Sequence, residues 1–571
     1  MKRRSLLSKA SKHCCIALTA MMMCSCSSKS DYRTIHNDTF WNTTDGSPIN
    51  SQGGGIFKFL DPQTNSERYF WYGVHYAEAD LYRDEPTKRH PKCSFKGVTL
   101  YVSDNLTDWE SSDYALSFND VKKWGFDADG WLGRMGVTYI EESQTYALFI
   151  QHGSLVMVCT SKSPRGPFAY HRHIDMTAYC GTSNTGDQTV FVDPDTNIGY
   201  LIYSKARGRN HGFVSRIGMT SPDSVGLVDC HRVFVGEGRE GNCMFKYKGA
   251  YYMCASDLWG WDCSHAYYLK ADNIYGPYEP VNNMQKFVNV ERDFAHQTQT
   301  GFFYTLRNGQ DETVIYCGDR WADFANNGAG YNQWVPLSFD VESNPIFNSL
   351  SSWELDHKSG KWRVGKDNNY VLNGNFDADR RIIPEPVKPR QAFLTGWDTE
   401  FICGNVVAHE DTLSPQLNCH NNVNEQRRGA NALFKMSLNI SDKYSSFKRR
   451  VSQRVVSTPT IPVEKGRYTF KAKMCGEGDT LNVKMFVSTS VDLPDSHHVA
   501  SLDVDNGVIH RTSGSTMPYD IAETNVDVTE TWQEFSLDFS CDEAPLRIGF
   551  EVTGGKGAWV HVDNVSLTKA E

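Results

Sequence analysis

Long helical patterns are missing from this chain. No stretch combines helix caps with an apolar period near 3.6 residues, which excludes helical bundles and coiled coils. Nor is there a long run of one charge. The formal charge of −10 is spread over 571 residues, and without a basic stripe nucleic-acid binding is not indicated. No C-x-x-C pair occurs among the 16 cysteines, so the spacing of a zinc site or a dense disulfide framework is absent. Most cysteines read as small buried hydrophobes; one or two disulfides fit an exported chain, but the sequence singles out no partners.

A long apolar run is lacking as well. The stretch Cys14 to Met23, preceded by Lys2, Arg3 and Arg4, is too short to cross a bilayer and reads as a signal peptide. It ends "MMMCSCSS", in which Ser25 precedes Cys26 and polar residues follow. This resembles a bacterial lipobox with Cys26 as the lipidated residue, which implies an exported outer-membrane lipoprotein held to the membrane by its N-terminus. Residues 1–26 are then signal peptide and lipobox, and 27–39 a tether.

What the chain does have is turns and aromatics: 45 glycines, 27 tyrosines and 12% aromatic residues, the profile of β structure. Five stretches repeat one hairpin pattern: "GIFKFLDPQTNSERYFWYG", "GVTYIEESQTYALFIQHG", "TVFVDPDTNIGYLIYS", "CMFKYKGAYYMCAS" and "GFFYTLRNGQDETVIYCGD". Third strands recur too, often closed by Gly-Pro-aromatic. After the first unit the spacing is roughly 55 residues, near the period of a four-stranded blade. An all-β fold follows: a five-bladed β-propeller over 40–368, then a β-sandwich over 369–571 made of strands such as "GRYTFKAKM" and "WQEFSLDFS".

The ordered motifs of the first domain resemble glycoside hydrolase family 43, in particular its exo-β-1,3-galactanase-type branch. They are Gly53-Gly54-Gly55 after Gln52, "YFWYG", "SPRGPF", "GDQTVFVDPDTNIGYLIYS" with Asp187, "REGNCMFKYKGAYYM" with Glu240, "QTQTGFFYTL" with Gln297 and Gln299, and "CGDRW" with Trp321. The resemblance implies an inverting glycosidase acting on a galactose- or arabinose-containing polysaccharide or oligosaccharide, with no required cofactor. Inversion needs a protonated carboxyl on the leaving-group side and a base for water opposite it, about 6.5–9.5 Å apart. By resemblance Glu240 is the general acid, Asp187 sets its pKa and orientation, and Gln299 positions water, with Gln297 beside it. Burial and a neighbouring carboxylate would raise the Glu240 pKa toward neutrality. Gln52, Trp259, Trp261 and Trp321 are candidate sugar contacts, and His296 reads as a structural group.

Two departures stand against the branch pattern. Gly133 occupies the position of a glutamate opening the second blade, and Val74 follows "YFWYG" where the branch tends to have glutamate. They open the alternative of a non-hydrolytic glycan-binding lipoprotein. The second domain opens "NGNFD" and closes "VHVDNVSL", resembling jelly-roll carbohydrate-binding modules. Many of these hold a structural calcium, with Asp377 and Asp563 as the candidate ligands here.

Overall fold

The computed structural model describes residues 31–84, 93–260, 263–309, 311–321, 330–376, 378, 395–404, 419–421, 437–455, 457–489, 502–503, 508–509, 520–542 and 546–570. The signal segment with Cys26, and also Trp261 and Asp377, lie outside them.

All five hairpins form. Gln52–Asp61 pairs with Ser66–Tyr76, Leu132–Ile140 with Thr145–His152, and Thr185–Val192 with Gly199–Lys205. Glu240–Tyr247 pairs with Ala250–Ser256, and Gln299–Asn308 with Asp311–Arg320. The fourth is closed by Lys248 and Gly249, both at positive φ, the backbone that a two-residue turn needs to match strand twist. A third antiparallel strand flanks each hairpin: Phe95–Ser103, Leu155–Ser161, His211–Ser221, Ala266–Ala271 and Tyr331–Pro336. The first strands of the hairpins touch in a closed cycle, the fifth returning to the first. Apolar residues fill the gaps between sheets, as where Phe245 packs on Phe303 at 4.8 Å and Trp71 on Trp334 at 4.8 Å.

One irregularity recurs in every central strand. Register slips near its start, between Gln52 and Gly55, Gly133 and Met135, Thr185 and Gln188, Glu240 and Cys243, and Thr300 and Phe302. A bulge of this kind turns a side chain out of the pleat and is common beside functional sites. Here five of them surround one axis.

A separate three-stranded sheet joins the two ends of the ring-forming segment and includes a strand that the sequence does not announce. Arg33–His36, inside the expected tether, pairs with Ser352–Asp356, which in turn pairs with Lys361–Val364. Its four residues are too few for the alternating pattern to stand out. Helices among the described residues are short, Ala77–Asp84 being eight residues, and none is long and apolar enough to cross a membrane.

The remainder forms two five-stranded antiparallel sheets. One orders Asp398–Cys403, Phe447–Val455, Leu546–Gly554, Asn482–Thr489 and Asp520–Val526; the other orders Cys419–Asn421, Leu438–Ser441, Trp559–Lys569, Gly466–Glu477 and Gln533–Cys541. Val451, Met485 and Phe550 of the first share a core with Phe470, Met474 and Val562 of the second.

Candidate active site

The bulges bring Arg134, Asp187, Glu240 and Gln299 to one end of the ring, where they hydrogen-bond one another. Glu240 is 6% exposed, and its Oε1 accepts from Gln299 Nε2 at 2.8 Å and from the Gly260 N–H at 3.1 Å. Its Oε2 accepts from Arg209 Nη1. Burial, and after it the Asp187 charge, push the Glu240 carboxyl up to about 7, against the opposing pull of Arg209, Arg134 and the Gly260 N–H. A carboxyl with that proton affinity holds a proton near neutral pH and can donate it.

Asp187 stands at φ 90°, a left-handed conformation costing a non-glycine residue about 1–3 kcal/mol and persisting only where its surroundings enforce it. Its Oδ2 accepts from the Gly241 N–H at 2.8 Å and lies 3.2 Å from Arg134 Nε. Through Gly241 it is fixed to the residue after Glu240. Gly241, itself at φ 64°, admits no side chain: a Cβ there would lie 2.5 Å from Thr300 Oγ1.

Gln299 differs from its expected part. Its Oε1 accepts from Arg134 Nη2 at 2.7 Å and from Trp321 Nε1 at 2.8 Å, which occupies both lone pairs, while Nε2 donates to Glu240. Arranged so, the amide orients the acid and has no lone pair left for water. Gln297 does not join it. Its Nε2 donates to Asn375 Oδ1 at 2.9 Å and its Oε1 accepts from Arg320, tying the ring to the segment that leads into the second pair of sheets. The physical reason is a left-handed turn, Phe294 to Gln297 all at positive φ, which sends Gln297 away from Gln299.

Two of the three candidate sugar-stacking rings are buried. Trp321 is 1% exposed behind Gln299, and Trp259, expected at a rim, is 4% exposed and packs edge-on against Phe294 at 5.3 Å. His296 is half-buried and bonded to Ser349 Oγ and Asp38 Oδ2, a structural role. Gln52 is buried at the start of the first central strand and leaves Oε1 without a partner. Asp563 is buried and accepts from the Asn564 N–H at 2.7 Å, and no group of three metal-ligating side chains occurs among the described residues. A His-x-His stretch, His171 and His173, is engaged otherwise: His171 Nε2 accepts from the Val225 N–H and His173 bonds His152.

Three central residues escaped the sequence reading. Arg134, 2% exposed, reaches Asp187, Gln299 and the Thr300 carbonyl and lies 3.7 Å from Asp319 Oδ2. Asp319, in "CGDRW", accepts from the Gly53 N–H, and burial pushes its carboxyl up to about 6 against the pull of Arg134. Arg209 completes the set. In the structure Arg134 sits at the bulge offset that Asp187 occupies in the next repeat.

The two missing carboxylates leave no gap. A Cβ on Gly133 would lie 2.7 Å from the Trp131 ring and 2.8 Å from the Tyr76 hydroxyl, and these two rings stack at 5.3 Å in that space. Val74 is 2% exposed in a strand interior. Gly133→Glu therefore overpacks the site and should lower stability by about 1–3 kcal/mol, read from the thermal midpoint of the ring; an unchanged midpoint would show that the rings yield freely.

No family model and no curated protein matches the chain. Solved structures do. The exo-β-1,3-galactanase of Phanerochaete chrysosporium, in a structure with β-1,3-galactotriose, superposes with a TM-score of 0.50 at 17% identity, covering 94% of this chain and 100% of that one. An exo-β-1,3-galactanase from Clostridium thermocellum gives 0.48 at 20% identity over 73% and 81% of the two chains. A family 43 β-1,3-galactosidase gives 0.46 at 20% identity over 57% and 64%. The chain thus has a fold like that of family 43 glycoside hydrolases.

Proposed function

We propose that the chain is an inverting glycoside hydrolase acting on galactose- or arabinose-containing polysaccharide. Its five sheets are the blades of a β-propeller, its second unit is a jelly-roll of the carbohydrate-binding-module type, and Cys26 carries the lipid that holds it to the outer membrane. One observation carries the reading: a buried Glu240, with its proton affinity raised to about 7, stands beside Asp187 at the bulged end of the ring. Glu240 gives its proton to the departing glycosidic oxygen, and Asp187 keeps it oriented and protonated. Gln299 holds the acid in place through its Nε2, and the water that attacks the opposite face of the sugar passes its proton to bulk solvent.

A second reading, a glycan receptor without hydrolysis, is favoured by the occupied Gln299 oxygen and the filled space at Gly133. Incubation with arabinogalactan, galactan and arabinan, with released sugar measured, separates the two. Release supports the hydrolase; binding without release makes the protein a receptor. If the acid is Glu240, the rate stays level below pH 7 and falls about tenfold per unit above it. A rate that climbs through pH 8 would rule Glu240 out as the donor.

A further inference from the structure

Lys205, which ends the strand Gly199–Lys205, and Arg207 and Arg209 in the loop that leads on to His211–Ser221 place three cations in five residues of a chain whose net charge is −10. The loop is built onto the acid's own segment: the Arg239 N–H donates to the Arg209 carbonyl at 3.0 Å, the Gly236 N–H to the Asn210 carbonyl at 3.0 Å, and a Cβ on Gly238 would lie 2.4 Å from the Gly208 carbonyl oxygen. Arg209 reaches inward to Glu240 and lies 3.9 Å from Asp187 while its side chain stays 30% exposed. Its φ of 46° is a strained setting that holds the side chain toward the centre. Lys205 and Arg207, partly and fully exposed, form no ion pair among the described residues. The nearby anions are otherwise engaged: Glu237 and Asp257 with Arg239, Asp187 with Arg134.

Two uncompensated cations therefore stand outside a third whose present partner is the group that must shed its charge to act. We propose that this loop receives an oxyanion substituent of the glycan, a carboxylate or a sulfate, and that Arg209 passes from Glu240 to that substituent as the glycan binds. The inference rests on the glycan-processing reading and adds the substrate class to it. The exchange balances with one proton: the share of Glu240 that is ionised near neutral pH, relieved of its guanidinium, takes a proton from solvent and becomes the neutral acid, while the Arg209 charge is met by the incoming anion. An acidic glycan would in this way arm the donor that cleaves it.

Calorimetric titration of the full chain tests this with three probes: a galactose oligosaccharide ending in a uronic acid, its carboxyl-reduced form, and a sulfated form. At least one anionic probe should bind about tenfold or more tighter than the neutral one, the scale of one charge-assisted pair, with proton uptake seen as a buffer-dependent heat. Preference for the carboxylate alone assigns a uronate, for the sulfate alone a sulfate ester, and for both the shared oxyanion. Arg209→Gln should bring the ratio to within about twofold, and so should Lys205→Gln with Arg207→Gln, two surface changes that leave the fold intact. Equal affinities, no binding of any probe, or a preference that survives both variants overturns the proposal. Hydrolysis of charged and neutral probes at equal rates sinks this inference and leaves the hydrolase; an anionic preference without release sinks the hydrolase and leaves this inference.

Discussion

Glu240→Gln should cut sugar release by roughly 10²–10⁴-fold, the contribution of a positioned general acid. The amide keeps the size of the carboxyl and can still face Gln299 and the Gly260 N–H, so the ring should stay folded and glycan should still bind. What it lacks is the proton. The stability profile gives an independent reading of the same group. Because the folded state raises Glu240 from its ordinary 4.5 to about 7, it binds a proton that the unfolded chain has already lost. Its stabilising share is complete below 4.5 and is lost as pH rises toward about 7. The variant should lose that slope. Release by the variant at the wild-type rate would remove Glu240 from the mechanism, whatever the stability profile shows.

Arg134→Met should be the most destabilising single change in the ring, by about 3–5 kcal/mol in denaturant unfolding, because it leaves buried carboxylates without their cation. Asp187 and Asp319 both face this guanidinium, and Gln299 and the Thr300 carbonyl lose a donor as well. Acid should ease the loss. Asp319 already titrates near 6 with Arg134 present, and without it the carboxyl would rise further, so the variant regains stability as pH falls. Adding Asp319→Asn should recover part of the deficit, since the two sites share one network. A loss below about 1 kcal/mol would show that water replaces the guanidinium readily and that the centre is wetter than its 2% exposure implies.

The hairpins were legible because alternating aromatics and turn residues are local signals, but each of the five starts two to four residues before its quoted stretch, in the bulged part that carries the site. Glu240 and Asp187 were legible because they open equivalent repeats. The guanidinium chemistry was not: Arg134 looks like the neighbour of an absent glutamate until the bulge turns it inward, and Arg209 sits in a loop whose path depends on backbone bonds to Gly236 and Arg239. Gln297 and Gln299, two residues apart, would share a face in a regular strand. The left-handed turn at Phe294 to Gln297 breaks that alternation, and nothing in "HQTQT" signals it. Trp259 was misplaced for a related reason, since its neighbour Phe294 belongs to that same turn.

The strand Arg33–His36 pairs with Ser352–Asp356, more than 300 residues downstream. A contact so distant in sequence is entropically late, and folding slows as such contacts come to dominate. As the chain emerges N-terminus first, its opening strand must wait unpaired until nearly the whole ring has followed. The three-stranded sheet that joins the two ends of the ring-forming segment is therefore the last to form, after all five hairpins have been made.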